Sequence, residues 1–347
     1  MSAYHPYKLP YSDNRVDMRV FAFRSFSFTA LLLTFAFIQS CKEQVAEPTQ
    51  ATQPEPVVLS SLDSLTLTIV DAVSVDTLLN TVRVLTGEQS FTLHDTSVTI
   101  VSRFPTDSTH AYAIQYIVSR FESYGLSVNT QPFIWASHPE YHGVNILATQ
   151  LGTSEPDSSI IICAHYDAAY KGGFAPGADD NASGVATTIE AARILSGLKT
   201  RRTIIYACWD IEEEGLIGSA YFAADAKASG LAIVFVLNLY QVGIGGLKNE
   251  AMFSANSSPL GTALLDTIAR LNQVFKLPIE LDTLSGQFSG SDNASFESIG
   301  YQAGILIEWP PSELRHTPND ISANLRPEFF RPCTQLAIAF LYRISIL

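Results

Sequence analysis

Hydrophobic residues follow two patterns along this chain, and these patterns predict strands and helices in turn. Four dense apolar runs, rich in β-branched residues, are typical of strands that are buried on both faces of a sheet. These runs cover residues 159–164, 203–208, 233–239 and 303–308. Two further segments, 126–134 and 144–150, also have strand character. The pattern therefore predicts a sheet whose central strands are covered on both sides.

Segments with helical spacing of apolar residues lie before, between and after these runs. This spacing predicts helices over residues 75–86, 110–124, 182–198, 219–229, 259–275 and 327–344. Alternation of helices with buried strands favours an α/β sandwich with a largely parallel central sheet. Ligands of such sheets bind beyond the carboxyl ends of the strands. Polar residues that follow the apolar runs are therefore the candidates for function.

The first 40 residues have the pattern of a signal peptide. Arg19 and Arg24 precede an apolar run, 26–37, that is too short to span a bilayer comfortably. The sequence Ile-Gln-Ser before Cys41 resembles the lipobox of bacterial lipoproteins, which predicts a lipidated Cys41 as the first mature residue. The alternative is a plain secretory signal with an incidental cysteine. Met18 is the expected true start, because the residues before it carry no pattern.

The segment after the signal is predicted to be a tether. Residues 41–59 are rich in Pro, Gln, Thr and Glu, which is typical of a flexible linker, and a single domain is expected over 60–347. This arrangement predicts an exported bacterial lipoprotein on the periplasmic or cell-surface side of a membrane, with the outer membrane favoured. Contact with the membrane is expected only through the N-terminal lipid anchor.

Composition narrows the classes of function. The 347 residues are 47% hydrophobic, which suits a sizeable core, and the net charge is −13. Nucleic-acid-binding proteins usually carry a basic patch, so this class is disfavoured. Cys163, Cys208 and Cys333 are too few and too scattered for a disulfide framework. They are expected to be buried free thiols.

Histidines and carboxylates follow the apolar runs. His165 and Asp167 come after the first run, and the motif Gly-Ala-Asp-Asp-Asn-Ala-Ser-Gly (177–184) comes shortly afterwards. Asp-Ile-Glu-Glu-Glu-Gly-Leu-Ile-Gly-Ser (210–219) follows the second run, and Arg-His-Thr-Pro-Asn-Asp (315–320) follows the last. Each piece alone is common in loops and helix caps. Together they supply the histidine and carboxylate ligands that zinc prefers.

These motifs, in this order, resemble those of the M28 family of zinc peptidases, which includes metalloaminopeptidases and the related glutaminyl cyclases. The resemblance extends from about residue 75 to the C-terminus. It implies a three-layer α/β/α sandwich around a mixed, mainly parallel eight-stranded sheet. It also implies zinc ligands at four positions, with Asp179 bridging two metals. These positions are His165, Asp179, Glu213 and His316.

Two more roles are implied by the same resemblance. Glu212 matches the general base, which takes a proton from water and returns it to the leaving amine. Asp167 matches the carboxylate that orients a ligand histidine. Because Glu212 and Glu213 have different tasks, an irregular turn is expected after the second strand.

Tyr240 is the main departure from the family pattern, because the family has a metal-binding aspartate at this position. Tyrosine can bind zinc only as a phenolate, which requires a lowered pKa. A shift that would substitute Gln241 is discounted, because it would turn the side chain to the other face. One firmly bound zinc is therefore expected, held by Asp179, Glu213 and His316, with the second site weak or empty. Direct ligation by Tyr240 remains the alternative.

Two smaller departures concern the substrate. Arg315 precedes His316 where several aminopeptidases have a tyrosine, and it could bind a carboxylate or be a solvated rim residue. Asp292 belongs to a Ser-Asp-Asn segment where the family has Ser-Asp-His, and it is a second candidate for substrate binding.

The leading hypothesis is a zinc-dependent aminopeptidase that acts on peptides with Glu212 as general base. A glutaminyl cyclase or a carboxypeptidase on the same scaffold is the first alternative. A non-catalytic binding protein with an incomplete metal site is the second. No nucleic-acid partner is expected.

Overall fold

The structure is a computed structural model that describes residues 61–169, 176–246 and 248–347. These residues belong to one compact unit, Pro56–Leu347. The predicted signal peptide, the lipidation site Cys41 and the whole of the predicted tether, 41–59, lie outside the described residues. The expected domain start near residue 60 stays a prediction.

Helices and strands alternate along the described chain. The helices are α1 Ser61–Asp71, α2 Val75–Leu85, α3 His110–Ser123, α4 Gly184–Leu195, α5 Ile217–Ser229, α6 Pro259–Phe275, α7 Asn293–Glu297 and α8 Pro327–Ile346. The strands are β1 Phe91–Leu93, β2 Thr96–Val98, β3 Ser127–Ile134, β4 His142–Gln150, β5 Glu155–His165, β6 Arg202–Trp209, β7 Ala232–Tyr240, β8 Glu250–Ala255, β9 Glu280–Ser285 and β10 Ala303–Glu308.

Eight strands form one mixed sheet in the order β3-β4-β6-β5-β7-β10-β8-β9, and β1 and β2 form a separate hairpin. Strands β6, β5, β7 and β10 are parallel neighbours, and β8 pairs with β9 in parallel. The β3–β4, β4–β6 and β10–β8 pairs are antiparallel. This topology confirms the predicted mixed, mainly parallel eight-stranded sheet.

The two faces of the sheet are covered by different helices, which explains the uninterrupted apolar runs. Ile160 and Ile162 of β5 belong to a core cluster with residues of α2, α3, α4, α6 and α8. Ile161, between them, belongs to a second cluster with Phe222 of α5 and with α7. Successive side chains of a strand point to opposite faces, so a strand covered on both sides is apolar at most of its positions. Each such buried aliphatic side chain stabilises the fold by about 1.5–3 kcal/mol.

All six predicted helices and all six predicted strands are present, with boundaries that differ mostly by one to four residues. The predicted helix 182–198 begins only at Gly184, because a wide turn, Ala178–Ser183, precedes it. A Cβ atom at Gly184 would lie 2.5 Å from Oδ1 of Asn181 and 2.9 Å from the carbonyl oxygen of Leu239. The glycine therefore lets α4 start directly against the end of β7.

Two further predictions concern cysteines and membrane contact. Cys163, Cys208 and Cys333 are buried and free, as expected. Among the described helices, none is by itself long and apolar enough to cross a bilayer. The pair Ser64–Asp71 and Val75–Leu85, bent by 48° between them, reaches that length and apolar composition only when the two helices are taken together.

Candidate metal centre

The candidate centre lies where neighbouring parallel strands end. His165 is the last residue of β5, and Tyr240 is the last residue of β7. Glu212 and Glu213 follow the end of β6, and His316 lies in the loop after β10. Because the carboxyl ends of parallel strands meet at one edge of the sheet, segments far apart in sequence converge there.

Four side chains converge at the core of the centre. Nε2 of His165 lies 3.2 Å from Oδ1 of Asp180, whose Oδ2 lies 3.2 Å from Nε2 of His316. Nε2 of His316 also lies 2.7 Å from Oε2 of Glu213. The ligand atoms of His165, Asp180 and Glu213 all lie within 4.8 Å of one another. The structure therefore brings together His165, Glu213 and His316, as the sequence predicted.

The predicted bridging role of Asp179 is wrong, because Asp180 occupies the place between the two histidines. Oδ1 of Asp179 instead accepts a hydrogen bond from the backbone N–H of Gly243 at 2.8 Å. Burial, together with the nearby Glu308, raises the pKa of Asp179 well above its ordinary value. The backbone of Asp180 is non-helical, with φ −107° and ψ 90°, so the turn aims the two aspartates at different partners.

Several buried atoms of this cluster lie 2.7–3.2 Å from charged neighbours and yet make no hydrogen bond of normal geometry. They are Nε2 of His165, Oδ1 of Asp180 and Nε2 of His316. Buried polar atoms are normally satisfied, so a group of unsatisfied ones that face each other needs an explanation. Imidazole nitrogens and carboxylate oxygens within ligand distance of a common point fit a zinc ion. Asp180 is the residue that could contact two metal positions, through its two oxygens.

Asp167 holds the turn that carries the two glutamates. Its Oδ1 accepts a hydrogen bond from the backbone N–H of Glu212 at 3.0 Å, and its Oδ2 accepts one from Glu213 at 3.1 Å. Oδ1 also lies 3.5 Å from Nδ1 of His165, but the hydrogen-bond partner of that nitrogen is the backbone carbonyl oxygen of Asp167 at 3.2 Å, so the orienting role of the carboxylate stays a prediction. Ile211, just before the glutamates, has φ 56°, a strained conformation for a β-branched residue. The expected irregular turn after β6 is thus present.

Asp320 holds the turn that carries Asp180. Its Oδ1 and Oδ2 accept hydrogen bonds from the backbone N–H groups of Asp179 and Asp180 at 2.7 and 3.0 Å. Asp320 belongs to the Arg-His-Thr-Pro-Asn-Asp motif that contains His316, and no role was expected for it. Its place in that motif was the signal that could have revealed it.

Glu212 lies beside the cluster, with Oε2 3.8 Å from Nε2 of His165 and only 7% of its side chain exposed. Burial raises the pKa of Glu212 well above its ordinary value; His165 opposes this shift, and the negative charges of Asp292 and Glu213 add to it. A carboxylate with a raised proton affinity, close to the ligand cluster, has the properties of a general base.

Tyr240 reaches the cluster through its hydroxyl. Oη lies 3.3 Å from Oδ2 of Asp180, to which it donates a hydrogen bond, and it accepts one from Nη1 of Arg315 at 3.3 Å. Burial raises the pKa of Tyr240, and the carboxylates of Asp180 and Glu212 raise it further. These groups oppose the phenolate that direct ligation would need. Tyr240, the last residue of β7, is thus the residue that contacts Asp180.

Arg315 and Asp292 lie in different surroundings. Arg315 is exposed, and it lines a cavity of about 310 Å³ together with Glu212, Glu213, Tyr240 and His316. Asp292 is fully buried and does not line this cavity. Burial raises its pKa to about 7. The position of Asp292 contradicts the predicted contact with substrate, because a side chain with no exposure cannot reach a ligand in the cavity.

One buried cation near the centre was not anticipated from the sequence. Arg103 is 1% exposed, and it donates hydrogen bonds to the carbonyl oxygens of Leu85, Tyr166, Pro176 and Gly177 at 2.6–2.8 Å. The carbonyls of Tyr166, Pro176 and Gly177 flank the segments that carry His165 and Asp180, and that of Leu85 ends α2. An isolated arginine in a loop gives no sequence signal for such a role.

A second buried set of hydrogen bonds near the centre is formed around Asp210. Oδ2 of Asp210 accepts hydrogen bonds from the Tyr166 hydroxyl at 2.7 Å and the Val144 N–H at 2.8 Å, and it lies 3.1 Å from Nε2 of His110. This group joins α3 and β4 to the turns that carry the candidate ligands. Its hydrogen bonds hold in place the backbone next to the candidate ligands.

Comparison with known proteins agrees with this geometry. The family model described as Peptidase family M28 matches residues 145–341, more than half of the chain. A probable leucine aminopeptidase of Trichophyton verrucosum (strain HKI 0517) is 32% identical over 186 residues, 49% of this chain and 48% of that protein. A probable zinc metalloprotease of Pyrenophora tritici-repentis (strain Pt-1C-BFP) is 34% identical over 125 residues, 31% of this chain and 29% of that protein. The chain thus spans about half or less of the length of these curated relatives.

Solved structures share the fold. An aminopeptidase from Aneurinibacillus sp. strain AM-1 has a TM-score of 0.64 at 17% identity and covers 81% of this chain and 96% of its own. A glutaminyl cyclase of Bacteroides thetaiotaomicron, bound to N-acetylhistamine, has a TM-score of 0.62 at 18% identity, over 78% of this chain and 98% of its own. At these identities the likeness establishes the fold alone. With the family match, it leads to one conclusion: the chain belongs to peptidase family M28.

Proposed function

We propose that the chain is a zinc-dependent exopeptidase, an aminopeptidase that removes N-terminal residues from peptides. One observation carries the proposal: Glu212 lies 3.8 Å from His165, beside ligand atoms of His165, Asp180 and Glu213 that lie within 4.8 Å of one another. A base next to a zinc-type ligand cluster in an open cavity is the arrangement that amide hydrolysis requires.

The residues of the chain divide the work. His165, Asp180, Glu213 and His316 would hold zinc, which when bound polarises the scissile carbonyl and lowers the pKa of water. Glu212 takes the proton of the attacking water and delivers it to the leaving amine nitrogen. Asp167 fixes the backbone of both glutamates, so that Glu212 and Glu213 keep separate directions. Asp320 does the same for Asp180.

We further propose one firmly bound zinc, with Asp180, Glu213 and His316 as its ligands. Asp180 thus replaces the bridging residue expected from the sequence. The second position would have only His165 and the shared Asp180, because the hydroxyl of Tyr240 takes the place of a carboxylate there. Two protein ligands are fewer than the three of a usual catalytic zinc site.

Hydrolysis of leucine p-nitroanilide tests the proposed activity. Glu212→Gln is expected to lower kcat about 10²- to 10⁴-fold while the zinc content stays unchanged, because the base is lost and no ligand is removed. Glu214→Gln is the matched control, because Glu214 is exposed and has no proposed role. Full activity of Glu212→Gln would contradict the assignment of the base. Cyclisation of an N-terminal glutamine without hydrolysis would favour the glutaminyl cyclase alternative.

We also propose that residues 1–40 direct export and that Cys41 carries a lipid. The observation that supports this is the Ile-Gln-Ser-Cys sequence after the apolar run 26–37. Cys41→Ala is expected to abolish incorporation of a labelled fatty acid and to move the protein from the membrane fraction to the soluble fraction. A labelled Cys41→Ala protein would contradict the proposal.

A further inference from the structure

The two departures from the family pattern that flank the metal centre contact each other. Nη1 of Arg315 donates a hydrogen bond to Oη of Tyr240 at 3.3 Å, although the two residues are 75 positions apart in the chain. Both side chains lie in the wall of the 310 Å³ cavity beside the base Glu212. They form one unit at the place where a substrate would bind.

Most N–H donors of the Arg315 guanidinium have no protein partner among the described residues. Among the described residues, no carboxylate lies within 4.0 Å of its guanidinium nitrogens, and the hydroxyl of Tyr240 is the partner found. A guanidinium carries five N–H donors, so most of its donors face the cavity or solvent. Arginine binds a carboxylate through two parallel hydrogen bonds, which suits an acidic group of a ligand.

Tyr240 gives Arg315 a fixed point of attachment. The tyrosine side chain is 6% exposed and packs in a cluster with Met252, Ile305 and Ile307 on the sheet. A hydroxyl held by a rigid ring restricts the rotamers of the arginine that contacts it. Less conformational entropy is then lost when the guanidinium binds a ligand.

The charges of the other side chains in the cavity affect how a carboxylate could bind beside Arg315. Glu212 lies in the same wall, and its negative charge would repel an acidic substrate, whereas zinc would offset the charge of Glu213. Arg315 is the only lysine or arginine among the residues that line the described cavity. Among the side chains that line the cavity, Arg315 is therefore the one that can bind a carboxylate through two parallel hydrogen bonds.

We propose that Arg315, oriented by Tyr240, is the specificity-determining residue of the site and binds a carboxylate of the substrate. This inference rests on the proposed exopeptidase function. The carboxylate belongs either to an N-terminal Asp or Glu side chain or to the C-terminus of a dipeptide. Both sources present the same group to the guanidinium, and the experiment separates them.

Two pairs of substrates, each differing in one charge, test the proposal through kcat/KM. Glutamyl p-nitroanilide against glutaminyl p-nitroanilide reports on the side chain, and Leu-Gly against Leu-Gly amide reports on the C-terminus. The wild type is expected to prefer the charged member of one pair about tenfold or more, and Arg315→Gln to lose that preference. Equal ratios in wild type and Arg315→Gln would overturn the proposal.

Three further variants separate the parts of the unit. Arg315→Lys is expected to keep part of the preference for the charged substrate, because the positive charge remains but the ammonium cannot form the two parallel hydrogen bonds of a guanidinium. Tyr240→Phe is expected to reduce it a few-fold, because the ring remains and the hydrogen bond is lost. Arg270→Gln is the control, because this exposed arginine of α6 lies in a separate groove. A loss of preference in the control equal to that of Arg315→Gln would contradict the inference.

Affinities measured by calorimetry test the role of Arg315 separately from the proposed exopeptidase activity, because they do not require hydrolysis. Glutamic acid α-amide is compared with glutamine α-amide, and Leu-Gly with Leu-Gly amide, on wild type and on Arg315→Gln. If no substrate is hydrolysed but the wild type alone prefers a charged probe, the exopeptidase proposal fails and the role of Arg315 stands. If neither protein distinguishes the probes, the role of Arg315 is refuted.

Discussion

Asp180 faces His165 across the centre, with Oδ1 3.2 Å from Nε2 of the histidine. The neighbouring Asp179 points away and accepts a hydrogen bond from Gly243. This difference between adjacent aspartates decides which of them can hold a metal. The contact between Asp180 and His165 also ties the turn before α4 to the end of β5.

Substitution of the two aspartates is expected to have opposite consequences for zinc. Asp180→Asn should lower zinc affinity at least tenfold, because it removes the negative charge and one of the two oxygens between His165 and His316. Asp179→Asn should leave zinc binding unchanged, because Asp179 points away from the cluster and the amide oxygen of asparagine can accept the same hydrogen bond from Gly243. Elemental analysis after dialysis measures both. Loss of zinc in Asp179→Asn alone would restore the original assignment.

Tyr240→Asp is expected to increase the zinc content of the chain. The aspartate would supply a third carboxylate or imidazole ligand to the position that now has His165 and Asp180. Tyr240→Phe is the control, since it removes the hydroxyl without adding a ligand. Titration with zinc, followed by metal analysis, should approach two ions per chain in Tyr240→Asp and one in Tyr240→Phe. Two firmly bound ions in the unchanged chain would refute the one-zinc proposal.

Arg103→Met is expected to destabilise the fold by about 3 kcal/mol or more, because four carbonyl groups around a buried position lose their donor. Urea unfolding measures the change. Arg270→Gln should shift the free energy of unfolding by less than about 0.5 kcal/mol, because it is a surface substitution. If the two variants unfold at the same urea concentration, the buried hydrogen bonds of Arg103 do not stabilise the fold.

Glu297 should make stability depend on pH. Burial raises its pKa to about 7, and a hydrogen bond from Asn293 partly opposes this. Between the ordinary pKa of about 4.5 and 7, the folded state binds more protons than the unfolded state, so stability falls as pH rises through this window. Glu297→Gln should therefore be more stable relative to wild type at pH 8 than at pH 5, as measured by urea unfolding. An equal difference at both pH values would contradict this.

Much of the fold could be predicted because the positions buried in strands and helices are occupied by apolar residues in a regular pattern along the sequence. The runs that became β5, β6, β7 and β10 are mostly apolar on both faces, with a few buried polar residues such as Asn238 and Glu308, since helices cover both faces of these strands. Strand β9 was missed because nearly all of its residues are exposed, and its polar composition does not differ from that of a loop. Helix α7 has five residues, which is too short for a helical period to be visible.

Sequence alone determined the types of residue at the centre: two histidines and a set of carboxylates, each placed after a buried strand. Strand order and chain direction then brought them to one edge of the sheet. Only the tertiary structure decided which of two adjacent aspartates faces His165, because the backbone angles of a turn select the direction of each side chain. It also decided that Tyr240 and Arg315 touch, because a contact over 75 positions depends on how strands and loops pack and leaves no pattern in the local sequence.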